Sequence, residues 1–257
     1  MTYPNYAQRL YPRHPQRLYP LRDDSLFDSG SSSPATDPLF SKVVLLVQFD
    51  GSSGSQTFTD QSSYGLTPST VAGSADIVPE PNWNGYSVAD LTRTGDYVRY
   101  DNSSLFAFSG NQAWTAEAFI WFNSNAADQM PFGYFDSVAQ GWGLYTRSPQ
   151  ELTFYIAATF VHYDELIGPG SSFVTSQWMH VAIEVNSSKK MRLYVDGSCV
   201  ASMTISNIDV NASVFKIGAG DTRELNNGYM KNLRVTRDVR YDTDGSYTVP
   251  TSEFPTS

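Results

Sequence analysis

The chain has 257 residues, 40% of them hydrophobic and 14% aromatic, and a net charge of −9. That composition supports a large packed domain and excludes disorder throughout. Four arginines and no acid fall in residues 1–22, leaving 13 basic against 26 acidic side chains for the rest, a balance that repels phosphate backbones and excludes nucleic-acid binding.

Residues 1–22 carry Pro4, Pro12, Pro15 and Pro20, a density that leaves extended or polyproline-like backbone. Gln8-Arg9-Leu10-Tyr11-Pro12 recurs as Gln16-Arg17-Leu18-Tyr19-Pro20. Tyr, Leu and Arg are the types that anchor interfaces. Tyr3, Tyr6, Arg9, Leu10, Tyr11, Arg13, Arg17, Leu18, Tyr19 and Arg22 therefore read as an extended docking arm. The opening residues lack the pattern of a signal peptide, so the sequons at Asn102, Asn186 and Asn211 are read as accidental. No apolar run approaches a membrane span. Cys199 stands alone, which excludes an intrachain disulfide. Residues 23–41, rich in Ser, Asp and Pro, read as a linker.

From residue 42 to 257 the pattern is that of strands. Val43–Asp50 is a doubly buried strand. Residues 65–85 are ambiguous, broken by Gly, Pro79 and Pro81. Tyr86–Leu91 and Asp96–Asp101 read as a pair around Thr94-Gly95. Ala113–Asn123, Pro131–Asp136, Trp142–Arg147 and Leu152–Val161 follow. Gln177–Ser202 gives three strands in a row: Trp178, His180, Ala182 and Glu184 alternate with Met179, Val181, Ile183 and Val185. Asp196-Gly197 suits a two-residue turn with both central residues at positive φ. Met203–Ile205, Val214–Gly218 and Gly228–Thr236 complete the series. No amphipathic helix is evident, and a dozen strands at this spacing predict an all-β, two-sheet antiparallel sandwich or jelly roll behind the arm.

Motifs in order along residues 42–255 resemble the laminin-G, concanavalin A-like lectin/glucanase superfamily, in the form common in tailed-phage virion proteins. They are VVLLVQFDG at Val43–Gly51, Thr59-Asp60-Gln61-Ser62-Ser63, TAEAFIWF at Thr115–Phe122, QWMHVA at Gln177–Ala182 and RLYVDG at Arg192–Gly197. Lys216-Ile217-Gly218, NGYMKNLRVT at Asn227–Thr236 and the ending from Val239-Arg240-Tyr241 to Phe254-Pro255 follow. The resemblance implies a concanavalin A-like jelly roll, a fold shared by lectins, hydrolases and inert spacers.

Catalytic chemistry is not supported. Glucanases of this fold use Glu-x-Asp-x-x-Glu, and none of Glu80, Glu117, Glu151, Glu165, Glu184, Glu224 or Glu253 has aspartate two residues on. Glu117 and Glu184 lie within strands, and His180 matches a structural position of the resembled family. Gly-x-Ser-x-Gly and zinc spacings are absent, so no catalytic residue is assigned and no cofactor is required. A hard cation such as Ca2+ has two candidate loops, one with Asp221 and Glu224, the other with Asp238, Asp242 and Asp244. Trp83, Trp142 and Tyr163, placed near loop ends, are the candidates for stacking on sugars, while Trp114, Trp121 and Trp178 are expected in the core.

The expectation is a non-enzymatic, multicopy or homo-oligomeric phage virion protein, a capsid decoration or short tail appendage on the virion surface. Its arm would dock on other virion proteins and its jelly roll would meet host glycans. A receptor-binding fibre tip and a polysaccharide depolymerase are the alternatives.

Overall fold

A computed structural model describes residues 36–257, apart from 102, 110, 136–139, 148–149, 160–161, 207–208, 211–213, 221–222 and 226. The arm 1–22 and most of the 23–41 linker lie outside the described residues. The body begins before residue 42, because Asp37 is buried in it and Phe40 packs against its apolar surface.

The described strands are β1 (Val43–Val47), β2 (Thr70–Ala72), β3 (Asp76–Trp83), β4 (Tyr86–Leu91), β5 (Tyr97–Tyr100), β6 (Trp114–Phe122), β7 (Phe132–Phe135) and β8 (Gly141–Arg147). They continue with β9 (Glu151–Thr159), β10 (His162–Ile167), β11 (Trp178–Val185), β12 (Lys190–Val195), β13 (Ser198–Thr204), β14 (Val214–Ile217) and β15 (Gly228–Thr236). One sheet runs β13-β12-β11-β6-β15-β4-β3, with β1 added on β15; the other runs β10-β9-β8-β7-β14-β5-β2. Alternation along the strands sends one set of side chains between the sheets. Ile120, Met179, Ile183, Leu193 and Met230 meet Phe132, Trp142, Leu144, Phe154 and Phe215 there. Trp114 stacks on Phe108 at 4.4 Å and reaches Trp142 at 4.6 Å.

The β11-β12-β13 reading holds, down to its second turn: Asp196 and Gly197 have φ of 45° and 79°. Other expectations are corrected. β4 and β5 are not a pair. β4 lies between β15 and β3, and β5 lies in the other sheet between β14 and β2. The chain crosses sheets through a turn held by buried Asp96, which accepts from the amides of Ser74 (2.6 Å) and Arg93 (3.1 Å). Residues 65–85 contain β2 and β3. Pro79 and Pro81 are tolerated because β3 is an edge strand. Leu152–Val161 is followed by a further strand, β10, and Ser103–Phe106 forms a short helical turn.

In β15, Lys231 opposes Phe119 and Arg234 opposes Glu117. Three residues on β15 thus span two on β6, a bulge marked by Asn232 at φ 52°, and the extra residue turns both cations to the outer face. Residues 237–257 fold back over that face as a strap. Phe254 and Val249 pack with Trp83, Val88 and Phe119, giving the sheet a second apolar layer. Ser257 lies beside the start of the body: the amide of Asp37 donates to its carbonyl at 2.8 Å.

Candidate functional site

The residues with most catalytic potential, Glu117, His180 and Glu184, share the outer face of the eight-stranded sheet and are fully buried beneath the strap. Glu117 Oε1 accepts from Arg234 Nε (3.0 Å) and Nη2 (2.7 Å) and lies 3.3 Å from Arg240 Nε. Its Oε2 accepts from the Tyr241 hydroxyl (2.5 Å) and lies 3.1 Å from His180 Nε2. Burial opposes charge on Glu117, but Arg234, the His180 contact and Arg240 outweigh it and hold its pKa well below the usual range. Tyr241 and Tyr247 are pushed far up by burial and by the Glu117 charge. The second ring nitrogen of His180 lies 2.8 Å from the Tyr247 hydroxyl.

Glu184 is held differently. Its Oε2 accepts from the amides of Arg240 (2.9 Å) and Tyr241 (3.0 Å) and from Thr115 Oγ1 (3.2 Å). Its Oε1 accepts from the amide of Asp242 (2.9 Å), from the Tyr194 hydroxyl (3.3 Å) and from Arg192 Nη1 (3.5 Å). Both carboxylates are thus engaged on both oxygens, and the cluster fastens the strap to the sheet. Asp37 bridges Arg234 (2.9 Å) and Arg240 (2.8 Å). Burial opposes its charge, and Arg240 and Arg234 lower its pKa nonetheless.

The metal candidates are also occupied. Asp242 accepts from Asn186 Nδ2 (2.9 Å) and Arg192 Nη1 (2.7 Å), and Asp244 pairs with Lys190 and with Arg192 Nε (2.9 Å). These contacts lower both carboxyl pKa values. Asp238 Oδ1 takes the Val239 amide, and Glu224 Oε2 takes the Gly95 amide, both at 2.9 Å. Asp221 lies outside the described residues. Among the described residues no three His, Cys, Asp or Glu side chains could hold a metal ion.

Two of the three sugar-stacking candidates are corrected. Trp142 is fully buried between the sheets, its Nε1 donating to the Phe106 carbonyl at 2.9 Å. Trp83 is buried under the strap side, 4.7 Å from Phe119. Neither presents a ring face to solvent. Tyr163 does, at 55% exposure on the edge strand β10, with its ring 5.7 Å from Tyr155. Nearby Glu165 accepts from the Tyr145 hydroxyl (2.7 Å) and from Arg147 (3.1 Å). Trp121 and Trp178, expected in the core, stand half-buried on the outer face of the other sheet. The strand alternation that put Trp178 on the face of Glu184 was the signal for this.

No curated protein sequence matches the chain. Solved structures sharing the fold include the binding domain of botulinum neurotoxin serotype C1, 14% identical with a TM-score of 0.60, covering 78% of this chain and 49% of that one. The binding domain of Paraclostridial Mosquitocidal Protein 1 is 17% identical with a TM-score of 0.61, covering 79% and 50%. The binding domain of botulinum neurotoxin DC in complex with SialylT is 14% identical with a TM-score of 0.54, covering 80% and 50%. The chain spans about half the length of these structures, and at such identities the likeness is one of fold. Residues 92–244 match a laminin-G family model described as the concanavalin A-like lectin/glucanases superfamily. That stretch is more than half of the chain and contains β5 to β15, strands of both sheets, so the chain belongs to the concanavalin A-like lectin/glucanases superfamily.

Proposed function

We propose that the chain is a non-enzymatic structural protein of a tailed-phage virion, a capsid decoration or short tail appendage, whose jelly roll binds host-surface glycans. The observation that carries the non-enzymatic part is the engagement of Glu117 and Glu184. Acid catalysis on a glycosidic bond needs one carboxyl group free to donate a proton and a second free to attack or to activate water. Here Glu117 is held charged by Arg234 and Glu184 is closed by three strap amides. The superfamily, and the binding domain of the same fold solved in complex with SialylT, support the glycan part. The virion part rests on the sequence: the resemblance to phage copies, and a basic Tyr/Leu/Arg arm ahead of an acidic body.

Purified particles test this reading. The full chain should co-sediment with the particle in several copies, and a chain lacking residues 1–22 should stay folded and remain in the supernatant. Absence of the full chain from every particle fraction would overturn the virion reading. Incubation with host surface polysaccharide should release no new reducing ends; their appearance would replace binding by depolymerisation.

A further inference from the structure

The strap does not cover the whole outer face of the eight-stranded sheet. One residue pair beyond the His180, Phe119 and Lys231 row, five outward side chains line up across five adjacent strands. Trp178 on β11 opposes Trp121 on β6, which opposes Tyr229 on β15, which opposes Asp90 on β4, which opposes Asp76 on β3. At the usual strand spacing the row is about 19 Å long. Its three aromatic rings are half-buried. The Trp121 and Trp178 rings meet edge to face at 5.8 Å, and Trp121 Nε1 donates to Asn123 Oδ1 at 2.8 Å, which fixes the indole in place.

The other end of the row is acidic. Asp90 Oδ1 accepts from the Thr92 amide at 3.0 Å, and its Oδ2 lies 3.6 Å from Arg93 Nη2. Asp96 lies 3.9 Å from Arg93 Nη1. Asp76 Oδ1, directly opposite Asp90, is closed off from solvent and has no hydrogen-bond partner. Burial raises the Asp76 pKa, and the charges of Asp90 and Asp96 add to the effect against Arg93. The row therefore combines apolar ring surface with a carboxylate end in which one acceptor, Asp76 Oδ1, has no donor.

Few partners suit both ends. An apolar partner would cover the carboxylates without supplying a donor, at a cost in desolvation. A phosphate or carboxylate ligand would meet three acidic groups against the single guanidinium of Arg93. A neutral sugar has C–H faces that pack on aromatic rings and hydroxyls that donate to carboxylates. We infer that this row binds an uncharged oligosaccharide, stacked on Trp178, Trp121 and Tyr229 with its hydroxyls turned toward the carboxylate end at Asp90 and Asp76. The inference rests on the glycan-binding reading above and moves the site from Tyr163 to the opposite sheet.

Two measurements on the full chain test it, with dextran, mannan and a soluble β-glucan as neutral probes and polygalacturonate and polysialic acid as charged ones. Trp83, Trp114 and Trp142 are buried, so acrylamide quenching of tryptophan fluorescence reads Trp121 and Trp178. A neutral probe should bind and protect that fluorescence from quenching, and both charged probes should bind more weakly. Trp121→Ala and Trp178→Ala should each lower affinity about tenfold or more, the loss expected on truncating an aromatic anchor. Trp178→Phe should recover most of it, and Tyr163→Ala should change nothing. Binding without protection, or binding that survives both tryptophan substitutions, would overturn this site and leave the glycan reading standing. Tighter binding of a charged probe would overturn the choice of ligand. If no probe binds, the site and the glycan reading fall together.

Discussion

Glu184 gathers the amides of Arg240, Tyr241 and Asp242 around one carboxylate, so a single side chain on β11 orders the start of the strap. Glu184→Gln removes the charge and turns an acceptor into a donor facing amides. It should lower stability by about 2–4 kcal/mol, the scale for a broken buried charge network, and expose 237–257 to protease before global unfolding. A limited-proteolysis time course beside a urea melt checks both parts. Glu117 and Asp37 have folded pKa values below their ordinary 4.5 and 3.8. A depressed folded pKa means that the unfolded chain takes up protons first as pH falls. The stability these groups confer is thus complete above about pH 5 and declines through and below the ordinary carboxylate range. Urea midpoints at pH 7, 4 and 3 should fall in that order, and Glu117→Gln should flatten the fall while lowering the pH 7 midpoint. That Glu184 shares a face with Trp178 and His180 was legible from strand alternation, whereas the face of Glu117 was not read. The partners of both were not legible, since Arg240 and Tyr241 belong to a segment without strand pattern whose return over the sheet is a tertiary event.

At the scale of elements, the hairpin between β12 and β13 carries more than a turn. Gly197 sits at φ 79°, and a Cβ there would lie 2.4 Å from the Tyr247 carbonyl oxygen. Gly197→Ala should cost about 1–3 kcal/mol through backbone strain and that clash, and it should loosen the strap at Tyr247. A lowered melting temperature, with faster amide exchange at Tyr247, is the expected readout. The turn was readable because Asp-Gly prefers this geometry. β3 was hidden because two prolines mask an edge strand, and the β4–β5 mispairing arose because a short turn can join two sheets as well as two neighbours. Burial of Trp83 and Trp142 escaped the sequence for related reasons. Trp142 is the second residue of β8 and faces inward, and Trp83 is covered by a strap that local pattern does not announce.

Across the whole molecule, the acidic excess is partly internal. Asp37, Glu117 and Glu184 face Arg234, Arg240 and Arg192, and Asp50 and Glu253 pair with the buried Lys231. Asp242 and Asp244 are likewise matched by Lys190 and Arg192. Millimolar calcium should therefore leave the melting temperature unchanged, and a chelator should do the same; a calcium-dependent rise would show that the cation displaces these pairs. The two-sheet architecture was legible from strand count and spacing alone, whereas the third layer, the strap, was not.

The meeting of Asp37 and Ser257 has one more consequence. The jelly roll is nearly a closed circle of chain, so its order of strands is not tied to where the circle is cut. A short glycine-serine bridge from Ser257 to Asp37, with new ends opened at the exposed Ser52-Ser53 turn, should give a permuted body with the same sheets. Its near-ultraviolet circular dichroism should overlay that of the original body, and loss of the folded signal would show that the closing contact depends on the native order of synthesis.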